Sequence, residues 1–394
     1  MAYRRQNKNS YLELAGMAIL FIIAPFLTFV LALSKPLKRN NQFFIVLFFA
    51  VFGYYRMLAE SSDAAYWTHF ILRIQEDGIN VLITQINKYF NFNIGYLLFL
   101  YLFSYINYTA IIWSIIFALT AINFLFIYEM TVRAVTHGRT SFLAAFLFFL
   151  LIDYIPFNSF GVKFWLAFIL FVTGFSLSVF RDNKKAGNVL IISSFFFHFS
   201  LSYLVILYYL FSFFSVKNTQ IKLLGILLSL VVVYIVYQYA DFGFLEDKYI
   251  NYQNRSKIEH RSTWIIADRF FTTIVSILTI LYSYTIKIKD KQNKNIRNFL
   301  LIFAIALLPL FNSLDGLDRY SRAFSFMGLL YVIRLEACKQ RLPNFLTSII
   351  LLTFSWHVVV NFLLRKREVG FEIFYQPCME FFTHGPMSIF LYDL

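Results

Sequence analysis

The sequence has few charged residues and therefore little of what a protein needs to face water. Of its 394 residues, 14% are charged and 59% are hydrophobic, and the mean hydropathy is +0.65. Soluble domains carry about 25% charged residues, so this chain has too little polar surface to cover a globule in water. Composition excludes a soluble domain.

Cysteine and proline are scarce as well, and the short signatures of cofactor enzymes are absent. The chain has two cysteines, Cys338 and Cys378, and seven prolines. We expect the two cysteines on opposite sides of a membrane, which predicts neither a disulfide framework nor a metal site. No P-loop, G-x-G-x-x-G, H-E-x-x-H or C-x-x-C motif occurs, so no cofactor is expected.

Long apolar runs fill most of the chain instead. Runs of about 17–25 residues can cross a bilayer, and they must be helices because the alternation typical of barrel strands is missing. The runs are 11–33, 43–57, 109–128, 141–155, 162–180, 187–214, 220–239, 263–286, 298–311, 323–337 and 345–363. The sequence predicts one all-α polytopic transmembrane domain over residues 1–394, with about 11–12 transmembrane helices. The first run is too long for a signal peptide and predicts an uncleaved helix.

The net charge of +14 does not require nucleic acid, because the basic residues lie in short connectors between the runs. The positive-inside rule places these connectors in the cytoplasm. This orientation predicts extracytoplasmic segments at about 58–108, 240–262 and 312–322, and both termini outside. The connectors are Lys35/Lys38/Arg39, Arg133/Arg139, Arg181/Lys184/Lys185, Lys217/Lys222, Lys287 to Arg297, and Lys339/Arg341.

Two segments do not fit simple crossings. The run at 187–214 has basic connectors on both sides, and at about 1.5 Å per residue it would make a helix of about 42 Å, too long for one crossing and too short for two. It predicts a hairpin of two short helices that turns near Phe197–Ser200, with His198 at the floor of an outward-facing cavity. The half-apolar stretches Ile79–Tyr89 and Ile94–Ile106 predict interfacial or re-entrant helices.

Ionisable residues at the ends of apolar runs are the candidates for function, because charge is costly in a membrane. Arg56, Asp63 and Tyr66 follow the second run, in YYRMLAESSDAAYWTHF. Arg56 could hold a lipid-linked phosphate in a bidentate fork, and Asp63 could orient Arg56 or take a proton from a sugar hydroxyl. The alternative is a helix-end arginine paired with Glu60 at i+4.

Lys163 and His198 are the next candidates. Lys163 begins a helix in FNSFGVKFWLA, where an anion is favoured and a phosphate contact is expected. Its alternative is a snorkelling lysine at the interface. His198 lies in SSFFFHFSLS, two residues before Ser200. A neutral imidazole can act as base or hydrogen-bond donor, and the alternative is a structural histidine.

Arg319 and Arg322 open the tenth run in NSLDGLDRYSRAF. At i and i+3 they share one helix face, which suits a pyrophosphate. Asp315 and Asp318 stand four residues before each arginine, so two local ion pairs are the alternative. Weaker candidates of the same kind are Arg255, Arg261 and Arg269.

Taken in chain order, these residues resemble the EpsG/Wzy family of bacterial polysaccharide polymerases. The matching elements are Arg56, Asp63 and Tyr66 after the second helix, Lys163 with Ala167, Phe197-His198-x-Ser200, and Arg319 or Arg322. The chain departs from the family at Lys163, where arginine is usual, and in the wider spacing before Asp63.

The resemblance implies a GT-C-like, metal-independent, inverting membrane glycosyltransferase. Such a protein joins repeat units carried on undecaprenyl pyrophosphate into O-antigen, capsule or exopolysaccharide, at the outer face of the bacterial inner membrane. His198 or Asp63 would be the catalytic base. The substrate or pyrophosphate would be bound by Arg56, Tyr66, Lys163, Ser200, Arg319 and Arg322. The expected partners are the undecaprenyl-pyrophosphate-linked oligosaccharide, membrane lipids and a chain-length regulator, without nucleic acid.

Two other functions have similar requirements. A flippase of the same lipid-linked sugars would also use basic residues in the membrane, but transporters often have repeated halves with helices interrupted at matching positions. No such repeat is visible here, and the charges gather on one side, which favours catalysis. A ligase that moves glycan to another acceptor has nearly the same requirements, and the sequence does not exclude it.

Overall fold

The computed structural model describes residues 2–54, 63–89, 93–136, 142–152, 162–214, 263–286, 288, 290–307, 314–340 and 342–364. This part of the chain is helical and contains no strand, which confirms the all-α prediction. Of the features expected from the sequence, several lie outside these residues: Arg56, the run at 220–239, the segment at 240–262 with Arg255 and Arg261, and Cys378.

The helices divide into two compact units. The first unit comprises 1–200, 332–342 and 358–394, and the second comprises 201–331 and 343–357. The first contains α1 (Ala2–Ile23), α2 (Pro25–Leu33), α3 (Arg39–Tyr54), α4 (Asp63–Asp77), α5 (Ile79–Tyr89), α6 (Ile94–Phe103), α7 (Thr109–Thr136), α8 (Phe142–Ile152), α9 (Val162–Phe180) and α10 (Lys184–Phe197). The second contains α11 (Ser202–Phe214), α12 (Thr263–Tyr282), α13 (Lys291–Ala306) and most of α14 (Leu314–Ala337) and α15 (Asn344–Leu364).

Two helical stretches in the described residues are long and apolar enough to cross a membrane, Thr109–Val132 in α7 and Lys163–Phe180 in α9. Several shorter helices are also apolar, among them Ile94–Phe103 and Phe142–Ile152. Helices of this composition satisfy their backbone polar groups internally, as lipid requires. The number of crossings and the side on which each connector lies stay predictions.

The first apolar run differs from the single helix expected. It is divided into α1 and α2 at Ala24, whose backbone leaves the helical region at φ −147° and ψ 78°. Pro25 begins α2. Its ring clashes with a helical conformation of the preceding residue, whereas its fixed φ suits the first turn of a new helix. The proline therefore ends one helix and starts the next.

The run at 187–214 is also two helices, as its length predicts. Helix α10 ends at Phe197, and His198 is extended with φ −152° and ψ 113°. A 3-10 turn, Phe199–Leu201, leads into α11. The break lies at the expected residues. The hairpin direction and the outward-facing cavity stay predictions.

The helices that carry Lys163 and His198 pack closely along their length. A Cβ atom added at Gly174 of α9 would lie 2.6 Å from the carbonyl oxygen of Gly187 of α10, and the reverse distance is also 2.6 Å. Small residues permit such close backbone approach between membrane helices. The contact holds the start of α9 and the end of α10 at the same end of a helix pair.

Candidate functional site

Tyr66 and Lys163 lie at one aromatic group of the first unit. The Tyr66 ring is 57% exposed and meets the Trp67 ring edge-on, with centroids 4.9 Å apart. Lys163 Nζ lies 5.4 Å from the centroid of the same Trp67 ring, a cation–π contact. Tyr96 packs against Trp67 from α6 at 4.9 Å. Trp67, which the sequence analysis did not single out, thus joins two candidates almost a hundred residues apart. Asp63 begins α4, the helix that carries both aromatic residues.

His198 belongs to the same neighbourhood. Its ring meets the Phe164 ring edge-on at 5.6 Å, and Phe164 directly follows Lys163 in α9. The structure therefore places His198 against Phe164, the residue that directly follows Lys163. Lys163 and His198 are half-buried, so they are accessible at the surface of the first unit.

Ser200 fixes the protonation pattern of the His198 ring. The Ser200 hydroxyl lies 2.6 Å from His198 Nδ1, and the Ser200 backbone N–H donates to the same nitrogen at 3.2 Å. A backbone N–H can only donate, so Nδ1 is the acceptor and a neutral ring carries its hydrogen on Nε2. The ring nitrogen with a basic lone pair is the one that faces Ser200.

Asn93 holds the turn that carries His198. It is 7% exposed and precedes α6, but its side chain makes no cap hydrogen bond to that helix. Instead its Oδ1 accepts a hydrogen bond from the Phe199 backbone N–H at 2.8 Å, across 106 residues. Gly95 follows, where a Cβ would lie 3.0 Å from the Phe197 ring and 3.2 Å from the Phe196 carbonyl oxygen. An asparagine before a helix predicts only a cap, so sequence reasoning missed this role.

Arg319 and Arg322 lie on α14, in the second unit, and both are half-buried. The helix begins at Leu314, ahead of the apolar run, so the two arginines share a helix face as expected. Arg322 is close enough to His357 for the charges of the two side chains to interact. The side chains of Asp315 and Asp318, the alternative partners, are outside the described part, so that alternative stays open.

The second unit also contains a buried triad of Asp268, Arg269 and His357. The residues are 1%, 7% and 0% exposed. His357 Nδ1 lies 2.7 Å from Asp268 Oδ2, and Arg269 Nη1 lies 3.2 Å from the same oxygen. Sequence reasoning named Arg269 weakly and missed the other two. The signal was available, because Asp268 and His357 are ionisable residues inside apolar runs.

In the described residues no three His, Cys, Asp or Glu side chains are grouped so that they could hold a metal ion. The polar clusters contain hydrogen-bonding and cationic groups: Lys163, His198 and Ser200 in the first unit, and the arginines with the buried triad in the second. Such groups can bind phosphate and sugar and can move a proton.

The residues that the structure describes are helical, with apolar helices long enough to cross a membrane and polar side chains gathered among them, as in a membrane protein. A model of the EpsG family matches residues 65–377, most of the chain. The chain belongs to the EpsG family, whose members are polysaccharide polymerase-like membrane proteins, and the resemblance noted in the sequence is confirmed. The matched range includes both polar clusters and excludes Arg56 and Asp63. No curated protein and no solved structure matches the chain.

Proposed function

We propose that this protein polymerises oligosaccharide repeat units carried on undecaprenyl pyrophosphate, at the outer face of the bacterial inner membrane. It would be a metal-independent, inverting glycosyltransferase with a GT-C-like arrangement. The observation that supports this most is the grouping of Lys163, His198 and Ser200 in one unit of an EpsG-family chain. These side chains supply a cation and a proton acceptor, the two groups that the reaction needs.

The reaction replaces one bond to the anomeric carbon by another. A hydroxyl of the acceptor sugar loses its proton and attacks the anomeric carbon of the donor, and the bond to the pyrophosphate breaks with its electron pair on the phosphate oxygen. Because the donor is already activated, no nucleotide is needed. Catalysis requires a base for the hydroxyl and positive charge for the leaving group.

Ser200 and His198 supply the base as a relay. The acceptor hydroxyl gives its proton to Ser200 Oγ as the Ser200 hydroxyl gives its own proton to His198 Nδ1, 2.6 Å away. Direct transfer to Nε2 would require the other ring tautomer, which the Ser200 backbone N–H opposes. This assigns Ser200 a part in proton transfer in addition to substrate binding.

Lys163 supplies positive charge for the pyrophosphate, the role that the sequence analysis also predicts for Arg319 and Arg322. Trp67 holds the Lys163 ammonium over its ring, which limits the loss of conformational freedom when a phosphate binds. Tyr66, exposed beside Trp67, offers a ring face and a hydroxyl to the sugar. Arg56 would bind the phosphate, and Asp63 would orient the Arg56 guanidinium, as the sequence predicts.

Purified protein in lipid nanodiscs, incubated with undecaprenyl-pyrophosphate-linked repeat units, tests the proposal. A polymerase yields a ladder of products that differ by one repeat unit, without added metal or nucleotide. A ligase gives single transfers that require a different acceptor. A flippase gives no ladder and moves the units across proteoliposomes. The absence of a ladder would overturn the proposal.

A further inference from the structure

The buried triad has an unequal distribution of hydrogen bonds over the Asp268 carboxylate. Oδ2 receives both donors, from His357 Nδ1 at 2.7 Å and from Arg269 Nη1 at 3.2 Å. Arg269 Nη1 also lies 3.2 Å from His357 Nδ1. His357 Nδ1 lies closer to the Asp268 oxygen than to Arg269 Nη1. His357 therefore carries its ring hydrogen on Nδ1 and donates it to Asp268.

Asp268 Oδ1, by contrast, is buried and has no hydrogen-bond partner in the part of the chain that the structure describes. Of the buried side-chain atoms without a partner there, it is the one carboxylate oxygen. A charged acceptor removed from water without a donor is among the costliest groups to bury. The site is therefore completed by a hydrogen-bond donor that these side chains do not provide.

Helix α14 packs against α12, the helix that carries Asp268 and Arg269. A Cβ at Gly328 of α14 would lie 2.8 Å from the Ser276 hydroxyl of α12, so the two helices approach closely two turns beyond Asp268. Arg322 of α14 is close enough to His357 for the charges of the two side chains to interact. Arg322 is half-buried, whereas the triad is fully enclosed. Arg322 is thus the most exposed of these four residues.

We propose that Asp268, Arg269, His357 and Arg322 form a sugar-binding site, in which Asp268 Oδ1 accepts a hydrogen bond from a sugar hydroxyl. Sugar hydroxyls donate to carboxylates and accept from guanidinium groups, and the site offers both. The identity of the sugar, a residue of the lipid-linked repeat unit, rests on the proposed function. His357 and Arg269 hold the Asp268 carboxylate through its Oδ2 atom, so that Oδ1 is oriented before the ligand enters.

The site predicts a specific loss of binding in Asp268→Asn. The variant removes the charge but keeps the shape, and a lost charge-assisted hydrogen bond should weaken binding of undecaprenyl-pyrophosphate-linked repeat units at least tenfold. Thr279→Val is the matched control, because Thr279 is equally buried on α12 and donates only to Val275 of its own helix. Binding is measured directly, on full-length protein in nanodiscs, separately from polymer formation. Unchanged affinity in Asp268→Asn would overturn the site.

A triple variant separates a binding site from a structural ion-pair group. Apolar replacement of a purely structural buried triad is often neutral for stability. We expect Asp268→Leu/Arg269→Met/His357→Phe to melt near the wild-type temperature and to bind the repeat units at least tenfold more weakly. Wild-type affinity in this variant would show that the repeat unit does not bind Asp268 Oδ1 of the wild-type protein, and the proposal would be wrong.

A measurement on the wild type covers the case in which the variants do not fold. A repeat unit that carries a photoactivatable diazirine on its sugar should label peptides of α12 or α15. Labelling elsewhere alone overturns the site. Labelling here together with an absent product ladder would leave the sugar site intact and remove the polymerase assignment. A product ladder without labelling of these helices would support the polymerase assignment and overturn the sugar site.

Discussion

The two units hold their polar residues by different means. In the first unit, His198 lies in a break between helices. Its Nδ1 accepts a hydrogen bond from the Ser200 backbone N–H, and the next residue, Phe199, donates its backbone N–H to Asn93. In the second unit, Asp268, Arg269 and His357 lie within unbroken helices and hold one another by charge. A turn leaves backbone and ring atoms half-exposed for chemistry, whereas a buried ion-pair group holds its members in a fixed orientation. The first arrangement suits proton transfer, and the second suits binding.

The largest effect should come from the first unit. His198→Ala removes the final proton acceptor, and we expect polymer formation to fall by about 100- to 10,000-fold, the range for a lost general base. Lipid-linked units should then accumulate at the outer face, where an impermeant glycosidase added to spheroplasts can digest them. Digestible units with no polymer support the relay. Units protected in the cytoplasm would instead indicate a flippase.

The arginines of the second unit should rank next. Arg319→Ala or Arg322→Ala should lower polymer formation by about 100-fold if either neutralises the pyrophosphate. Lysine should restore only part of the activity, because an ammonium cannot reproduce the guanidinium fork. The control is Arg73→Ala, on an exposed face of α4. Full activity in both alanine variants would leave local ion pairs with Asp315 and Asp318 as the better explanation.

Asn93 tests whether the turn positions His198. Asn93→Ala removes the acceptor for the Phe199 N–H, and we expect about a tenfold loss of activity from a lost buried hydrogen bond. Asn93→Asp keeps an acceptor oxygen and should retain more activity. In a His198→Ala background the Asn93 substitution should have little further effect, because the two act as one unit. Additive losses in the double variant would contradict a positioning role.

The smallest effect on chemistry should come from Gly174. In Gly174→Ala a Cβ would meet the Gly187 carbonyl oxygen at 2.6 Å, so the helices must separate, at a cost of about 1–3 kcal/mol in the free energy of unfolding. Thermal unfolding in nanodiscs measures the loss. Gly16→Ala, where nothing lies within 4 Å, is the control. Equal melting temperatures for both variants would show that α9 and α10 do not depend on this contact.

The helices were largely predictable because each buries apolar residues along its length. The predicted stretch Ile79–Tyr89 is helix α5 with the same bounds, and the run at 162–180 is α9. Helix α4 was missed, since its sequence DAAYWTHFILRIQED is too polar to read as an apolar run. The start of α14 was placed late for the same reason, because its first turns carry charges. Apolar runs find the buried middle of a helix and not its polar ends.

The sequence predicted several residues of the site but not the contacts between them. Lys163 and His198 were named from their positions in the sequence, but the contact of His198 with Phe164, next to Lys163, depends on the packing of α9 against α10. Asn93 and Phe199 are 106 residues apart, and Asp268 and His357 are 89 apart. Such pairs arise from tertiary packing, and no local pattern contains them. Greater weight on ionisable residues inside apolar runs would have identified Asp268 and His357 as candidates. It would not have predicted the contact between them.

The glycine contact between α9 and α10 has a consequence for how the chain can be cut. Lys163 stands at the start of α9 and His198 at the end of α10, so the contact of His198 with Phe164, next to Lys163, depends on the packed helices and not on the connector. That connector is exposed, and Asp182 within it has a φ of 53°. A gene divided there should yield two polypeptides that reassemble in the membrane into an active whole, since membrane helices can insert separately and then associate. The peptide bond at residue 182 is then not required for the two helices to pack in the active arrangement.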